Sequence, residues 1–140
     1  MNNKFLSDYI VLFINNQNEL LEIILDHKNF NKLIILKDLA KVVTRTISAS
    51  YDILNDINND NRYYTNNVEE LESIRKSILK NDVIKIYDHD LKKQINKNLH
   101  YAETLESIML HVLPDIDDSN YVVVSEIIML FEVLNDLFEK

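Results

Sequence analysis

The stretch "DIDDSNYVVVSE", Asp115 to Glu126, sets oxygen donors at the spacing of a calcium-binding loop. Asp115, Asp117 and Ser119 take loop positions one, three and five, Tyr121 offers a carbonyl, Val122 is apolar at eight, and Glu126 stands at twelve. An EF-hand surrounds calcium with oxygens from those positions. Three features oppose that chemistry. Asn120 stands where the loop turns on a glycine, Pro114 precedes it, and the other Asp/Asn-rich loop, from Asp56, ends at Asn67 where a carboxylate is required. An acidic turn capping the last helix accounts for Asp115, Asp117, Asp118 and Ser119 as well, because anions favour a helix N-terminus. The cap is the reading adopted, with no metal and no cofactor expected.

Other reactive residue types do not assemble into a site. His89, His100 and His111 are spaced eleven residues apart, a rise of roughly 16 Å along a helix, too far to share one metal ion. Glu69, Glu70 and Glu72 resemble part of the magnesium-holding carboxylate set of all-α nucleotide pyrophosphatases, but the spacing is wrong for two ligands one turn apart followed by a matching second pair. Acids at that point complement a helix dipole. The chain has no Cys, which excludes disulfides, thiolate metal sites and a cysteine nucleophile. It has no Gly either, and so neither a phosphate loop, a dinucleotide fingerprint nor a nucleophile elbow. No catalytic residue can be named, and the chain is expected not to be an enzyme.

The elements that would hold any site are helical. With 140 residues, 46% of them hydrophobic, the chain is long enough for one domain burying roughly two-thirds of its unfolded surface. Apolar residues recur at spacings of three and four. A first helix is expected over Asn3 to Asn15, with Phe5, Leu6, Tyr9, Ile10 and Phe13 on its inner face, and a second over Gln17 to His27. A third carries Leu36, Leu39, Val43, Ile47, Tyr51 and Leu54. Asn67 and Glu70 form a capping pair for a helix with Val68, Leu71, Ile74 and Ile78. "NDVIKIYDHD" alternates like a strand but has no evident partner, so a turn is expected there. A long helix from Leu91 carries Ile95, Leu99, Ala102, Leu105, Met109 and Val112 and is closed by Pro114. A last one spans Asn120 to Phe138, with Val124, Ile127, Phe131, Leu134 and Phe138 inward. The expectation is an all-α, compact single-domain bundle of six or seven helices over residues 1–140.

A net charge of −8 repels a phosphate backbone, so nucleic acid is not an expected partner. No apolar run reaches the ~20 residues of a membrane span, and the start lacks the pattern of a secretory leader. A cytoplasmic protein is expected. The cluster Lys92, Lys93 and Lys97 reads as a solvated helix face.

Four pieces of the chain resemble the small poxviral Bcl-2-like proteins that modulate host responses. They are "YI" at Tyr9 and Ile10, "NFNKLIILKDL" from Asn29 to Leu39, "NNVE" from Asn66 to Glu69, and "IIMLF" from Ile127 to Phe131. The chain departs from that family in having neither Trp nor Gly, hence no Trp-Gly pair after the central helix and no Asn-Trp-Gly-Arg signature. The resemblance implies a Bcl-2-like bundle with a central buried helix and a non-enzymatic module that inhibits host innate immune signalling (NF-κB) or apoptosis. It also implies a protein or helical-peptide partner, and a homodimer built on the first and last helices. The residues agree on where such a face would lie. Val11, Leu12 and Ile14 on the first helix, with Val122, Met129 and Val133 on the last, remain apolar after the core positions are filled. Two other readings stand beside this one: a bacterial helical immunity or antitoxin-type protein that masks a basic partner, and a single EF-hand-like calcium-binding protein.

Overall fold

The computed structural model describes residues 3–59, 67–80, 86–112 and 118–139. Five helices are present among them: α1 (Asn3–Leu25), α2 (Ile34–Asn59), α3 (Asn67–Lys80), α4 (His89–Val112) and α5 (Asp118–Asp136). The fold is all-helical apart from a short ladder of β1 (Ile86–Tyr87) and β2 (Phe138–Glu139).

The expectation of six or seven helices is corrected to five among the described residues, because the first two expected helices are one. The polar run Asn15–Asn18 does not break α1. Gln17 sits in phase with Phe13, Leu20 and Ile24 on the inner face, fully buried. Its Nε2 donates to Ser50 Oγ on α2 at 2.9 Å. With its donor met, the buried amide does not turn the chain outward, although its Oε1 has no partner among the described residues.

Contacts run in the order α2, α1, α4, α5, α3, and α2 touches both α3 and α5 to close the arrangement. The core between these layers holds Leu6, Ile10, Phe13, Leu20 and Ile24 of α1, Leu36, Leu39, Val43 and Ile53 of α2, Leu71 of α3, Leu91, Ile95, Leu105 and Met109 of α4, and Val124, Ile127, Phe131 and Leu134 of α5. Each such side chain contributes about 1.5–3 kcal/mol through loss of apolar contact with water. Two expected core positions lie outside. Phe5 is 53% exposed and Tyr51 53% exposed, because each falls at the edge of its helix's apolar stripe, where no neighbouring helix covers it.

α5 meets α2, α3 and α4 but makes no contact with α1 among the described residues. It buries one side and leaves Val122, Met129 and Glu132 exposed.

"NDVIKIYDHD" does find a partner. Ile86 pairs with Phe138 and Tyr87 with Glu139, in parallel. The expected last helix therefore ends at Asp136, and Phe138, 2% exposed, enters the core from a strand. Lys92 at the start of α4 holds this end: its Nζ donates to the carbonyls of Asn135 (3.1 Å) and Phe138 (2.7 Å). A cation over the last carbonyls also suits the helix dipole of α5. Lys92 is thus a structural lysine, not part of a solvated face.

Candidate functional site

The calcium-like stretch is the first candidate, and two of its requirements are taken by other structure. Asp118 to Glu126 is already α-helix, whereas the metal loop wraps through those positions before its helix begins. Glu126 is also engaged. Arg75 on α3 meets it with two donors, Nε to Oε2 at 3.1 Å and Nη2 to Oε1 at 3.3 Å. That carboxylate holds the Arg75 guanidinium even further from deprotonation than usual, against the burial that opposes it. Asp115 and Asp117 lie outside the described residues, and with them the proposed cap.

The other polar groups are placed as follows. Glu70 accepts from Arg45 Nε at 2.5 Å, and Asn67 accepts from the same guanidinium while its Nδ2 donates to Asp52 at 3.0 Å. Asn67 and Glu70, read from sequence as a capping pair, clamp α3 to α2 through Arg45, a contact that local spacing does not reveal. Glu72 pairs with Lys76 at 2.7 Å, whose hydrogen bond holds its carboxyl below the usual range. His89 and His100 are exposed, and His111 Nδ1 contacts the Ser107 carbonyl at 2.8 Å. Among the described residues no cluster of His, Asp and Glu is placed to hold a metal ion.

The six residues assigned to a partner face divide. Val11 (42%), Leu12 (52%), Val122 (38%) and Met129 (38%) are exposed. Val133 is half-buried. Ile14 is 2% exposed and belongs to the core, a correction that follows from its position on the flank of α1 covered by neighbouring packing. Val11 and Leu12, being adjacent, point about 100° apart around the helix. With α4 between α1 and α5, the exposed members form patches on two separate helices.

A surface that sequence reasoning missed lies where α1 turns into α2. Leu21 and Leu25 of α1, Phe30 of the turn, and Lys37, Ala40, Lys41 and Thr44 of α2 line an open groove of about 460 Å³. The turn is built by local bonds. Phe30 N donates to the His27 carbonyl (2.9 Å) and Leu33 N to that of Asn29 (3.0 Å). Asn29 N donates to His27 Nδ1 at 3.0 Å, which leaves His27 Nε2 as the proton-bearing nitrogen facing Asp88 Oδ2 at 2.7 Å. Asp88 in turn accepts from Leu91 N at 3.0 Å and so caps α4. The turn is thereby tied to the bundle.

On α2, Ile34, Lys37, Lys41 and Thr44 follow at helical spacing along one stripe. Thr44 spends its hydroxyl on the Ala40 carbonyl at 2.8 Å. Leu25 is 48% exposed, Leu33 38% and Ile34 76%. The available signal in the sequence was "LIILKD": four apolar residues in a row cannot all face one side of a helix.

A second groove, between α1 and α4, is lined by Ile23, Asp90, Lys93, Gln94, Asn96, Lys97, His100 and Tyr101. Lys97 lies 3.8 Å from Glu19, so its charge is partly met within the chain. No helix among the described residues is long and apolar enough to cross a membrane. Compared with family models, curated proteins and solved structures, the chain matches none of them significantly.

Proposed function

We propose that this chain is a non-enzymatic protein-interaction module, acting in the cytoplasm as a Bcl-2-like modulator of host innate immune signalling or apoptosis. The observation that carries the reading is the apolar corner at the start of α2. Leu25, Leu33 and Ile34 are exposed there beside a groove, and Leu33 and Ile34 fall within "NFNKLIILKDL", the longest piece of the poxviral resemblance. Bulky apolar side chains held out together lose free energy to water unless a partner covers them. The module would also self-associate through the exposed faces of α1 and α5, around Leu12 and Met129.

The test is expression in cells carrying an NF-κB reporter and, separately, in cells given an apoptotic stimulus. Suppression of one response that is lost in Ile34→Glu supports the reading. An inert protein that is folded and abundant in both assays removes it.

One observation favours a second reading, the immunity or antitoxin-type protein. The net charge of −8 suits a basic partner, whose capture would be fast and strongly salt-dependent. Such a partner would bind the acidic helix surfaces and ignore Ile34→Glu.

A further inference from the structure

The start of α2 combines three features that a single kind of ligand would satisfy. The first is shape: the groove presents Leu21, Leu25, Phe30 and Ala40 as an apolar lining open to solvent, and exposed Ile34 lies one turn before Lys37 on α2. The second is charge. Lys37 and Lys41 line the same groove, and neither has an ion pair or side-chain hydrogen bond with a described residue. In a chain of net charge −8, the lining of this groove carries two ammonium groups one turn apart and no carboxylate, and Asp38, exposed between them in sequence, is not part of it. The third is the helix end itself. No acidic residue lies in the first turn of α2, apolar Leu33 precedes it, and no described side chain accepts from its first amides, of which Leu36 N is taken by the Leu33 carbonyl at 3.1 Å. The positive end of the α2 dipole is therefore left uncompensated.

We propose that this groove docks a short acidic segment of a partner protein. One bulky apolar side chain would lie on Leu21, Leu25 and Phe30, and carboxylates would meet Lys37, Lys41 and the amides of Ile34 and Ile35. The inference rests on the interaction-module reading and adds to it the chemistry of the partner. A basic segment would be repelled at all three cationic features. A purely apolar segment would leave Lys37 and Lys41 partly desolvated without counter-charge. Thr44 contributes its methyl group, since its hydroxyl is already bonded to the Ala40 carbonyl.

The probe is a phage-displayed library of random linear peptides, selected on the full chain; the enriched peptides are then synthesised and measured by fluorescence anisotropy. The expected peptides carry Asp or Glu next to a large apolar residue. Their binding falls roughly tenfold in the double variant Lys37→Glu/Lys41→Glu and comparably in Leu25→Glu. Both variants alter exposed positions, and circular dichroism verifies that they fold. Replacing the peptide's acids by Lys should restore binding to Lys37→Glu/Lys41→Glu while abolishing it on the wild type, a rescue that misfolding cannot imitate. Enriched peptides that lack acids overturn the proposal, as does failure to enrich any. Acidic peptides that bind all variants equally place the partner on another face and overturn the groove while leaving the interaction module intact. A wild-type dimer broken by Leu25→Glu makes a second copy the occupant and also overturns it.

Discussion

Arg75 of α3 and Glu126 of α5 form a two-pronged ion pair, 3.1 and 3.3 Å long, in which Glu126 is 5% exposed. It joins two neighbouring helices of the bundle. Removing one partner leaves the other charge partly desolvated, so Glu126→Gln should lower stability by roughly 2–3 kcal/mol, toward the low end for a buried pair because Arg75 still reaches water. Arg75→Met/Glu126→Leu should recover most of that loss, since both desolvation costs vanish together. Urea denaturation of the single and double variants gives the coupling directly.

The same pair makes a prediction about calcium. A ligand at Glu126 would have to displace Arg75 and unwind the helix that begins at Asp118. Calorimetric titration with calcium should therefore show no micromolar site. Micromolar affinity that disappears in Glu126→Gln would mean that the start of α5 rearranges around the ion.

His27 and Asp88 join the α1–α2 turn to the start of α4, and Asp88 serves both sides: Oδ2 contacts His27 and Oδ1 accepts from Leu91 N. Asp88→Ala removes a cap and a side-chain bond, about 2 kcal/mol in all, and His27→Phe removes the same side-chain bond together with the acceptor of Asn29 N, a comparable loss of about 2 kcal/mol. Thermal unfolding measures both. The tautomer has its own readout: with Nδ1 accepting from Asn29 N, a long-range proton–nitrogen spectrum of neutral protein should show the proton on Nε2.

Tyr9 supplies a pH dependence. Its phenol is pushed above the usual tyrosine range, chiefly by burial, partly offset by a hydrogen bond with Thr104, and reinforced by Tyr101, whose ring centre is 5.9 Å away. The unfolded chain loses this proton near pH ~10, while the folded chain retains it to higher pH. Its contribution is therefore fully present below the unfolded value and is lost as pH rises through the folded one. Absorbance titration should show one late-ionising tyrosine that disappears in Tyr9→Phe, and the alkaline loss of stability should be shallower in that variant.

Periodicity located the helices because most inward positions are apolar at helical spacing, as with Leu36, Leu39, Val43 and Ile47. It failed where a polar residue is buried with a distant partner. Gln17 finds Ser50, 33 positions away, and nothing in "NNQN" announces that. It failed again at Ile86–Tyr87, whose partner lies beyond the last helix. Strand pairing is set by the tertiary path, not by local pattern. The partner face was legible as excess apolar surface but not as geometry. Ile14 and Leu12 look equivalent in sequence, and only the position of the neighbouring helices makes one core and the other surface. The groove was hidden for a related reason: its walls come from α1, a turn and α2, and Leu21, Phe30 and Ala40 do not read as one feature until the chain folds back.

That contrast between Leu12 and Ile14 makes the self-association proposal testable. At Ile14, 2% exposed, an added carboxylate would be buried without a partner, so Ile14→Asp should destabilise the monomer by several kcal/mol and show it in its denaturation midpoint. At Leu12, 52% exposed, and Met129, 38% exposed, the same charge meets solvent in the monomer and is desolvated only if a second copy covers it. Leu12→Asp and Met129→Asp should therefore both stay folded, and the one whose helix carries the contact should sediment as a monomer, where the wild type at high micromolar concentration is expected to sediment as a dimer. Because α4 separates α1 from α5, a two-fold contact through only one of these helices should be sensitive to one substitution and indifferent to the other. Equal sensitivity would require a contact that reaches across α4. A monomeric wild type at that concentration would remove the dimer and leave the exposed leucine and methionine as isolated surface residues, which soluble proteins tolerate singly.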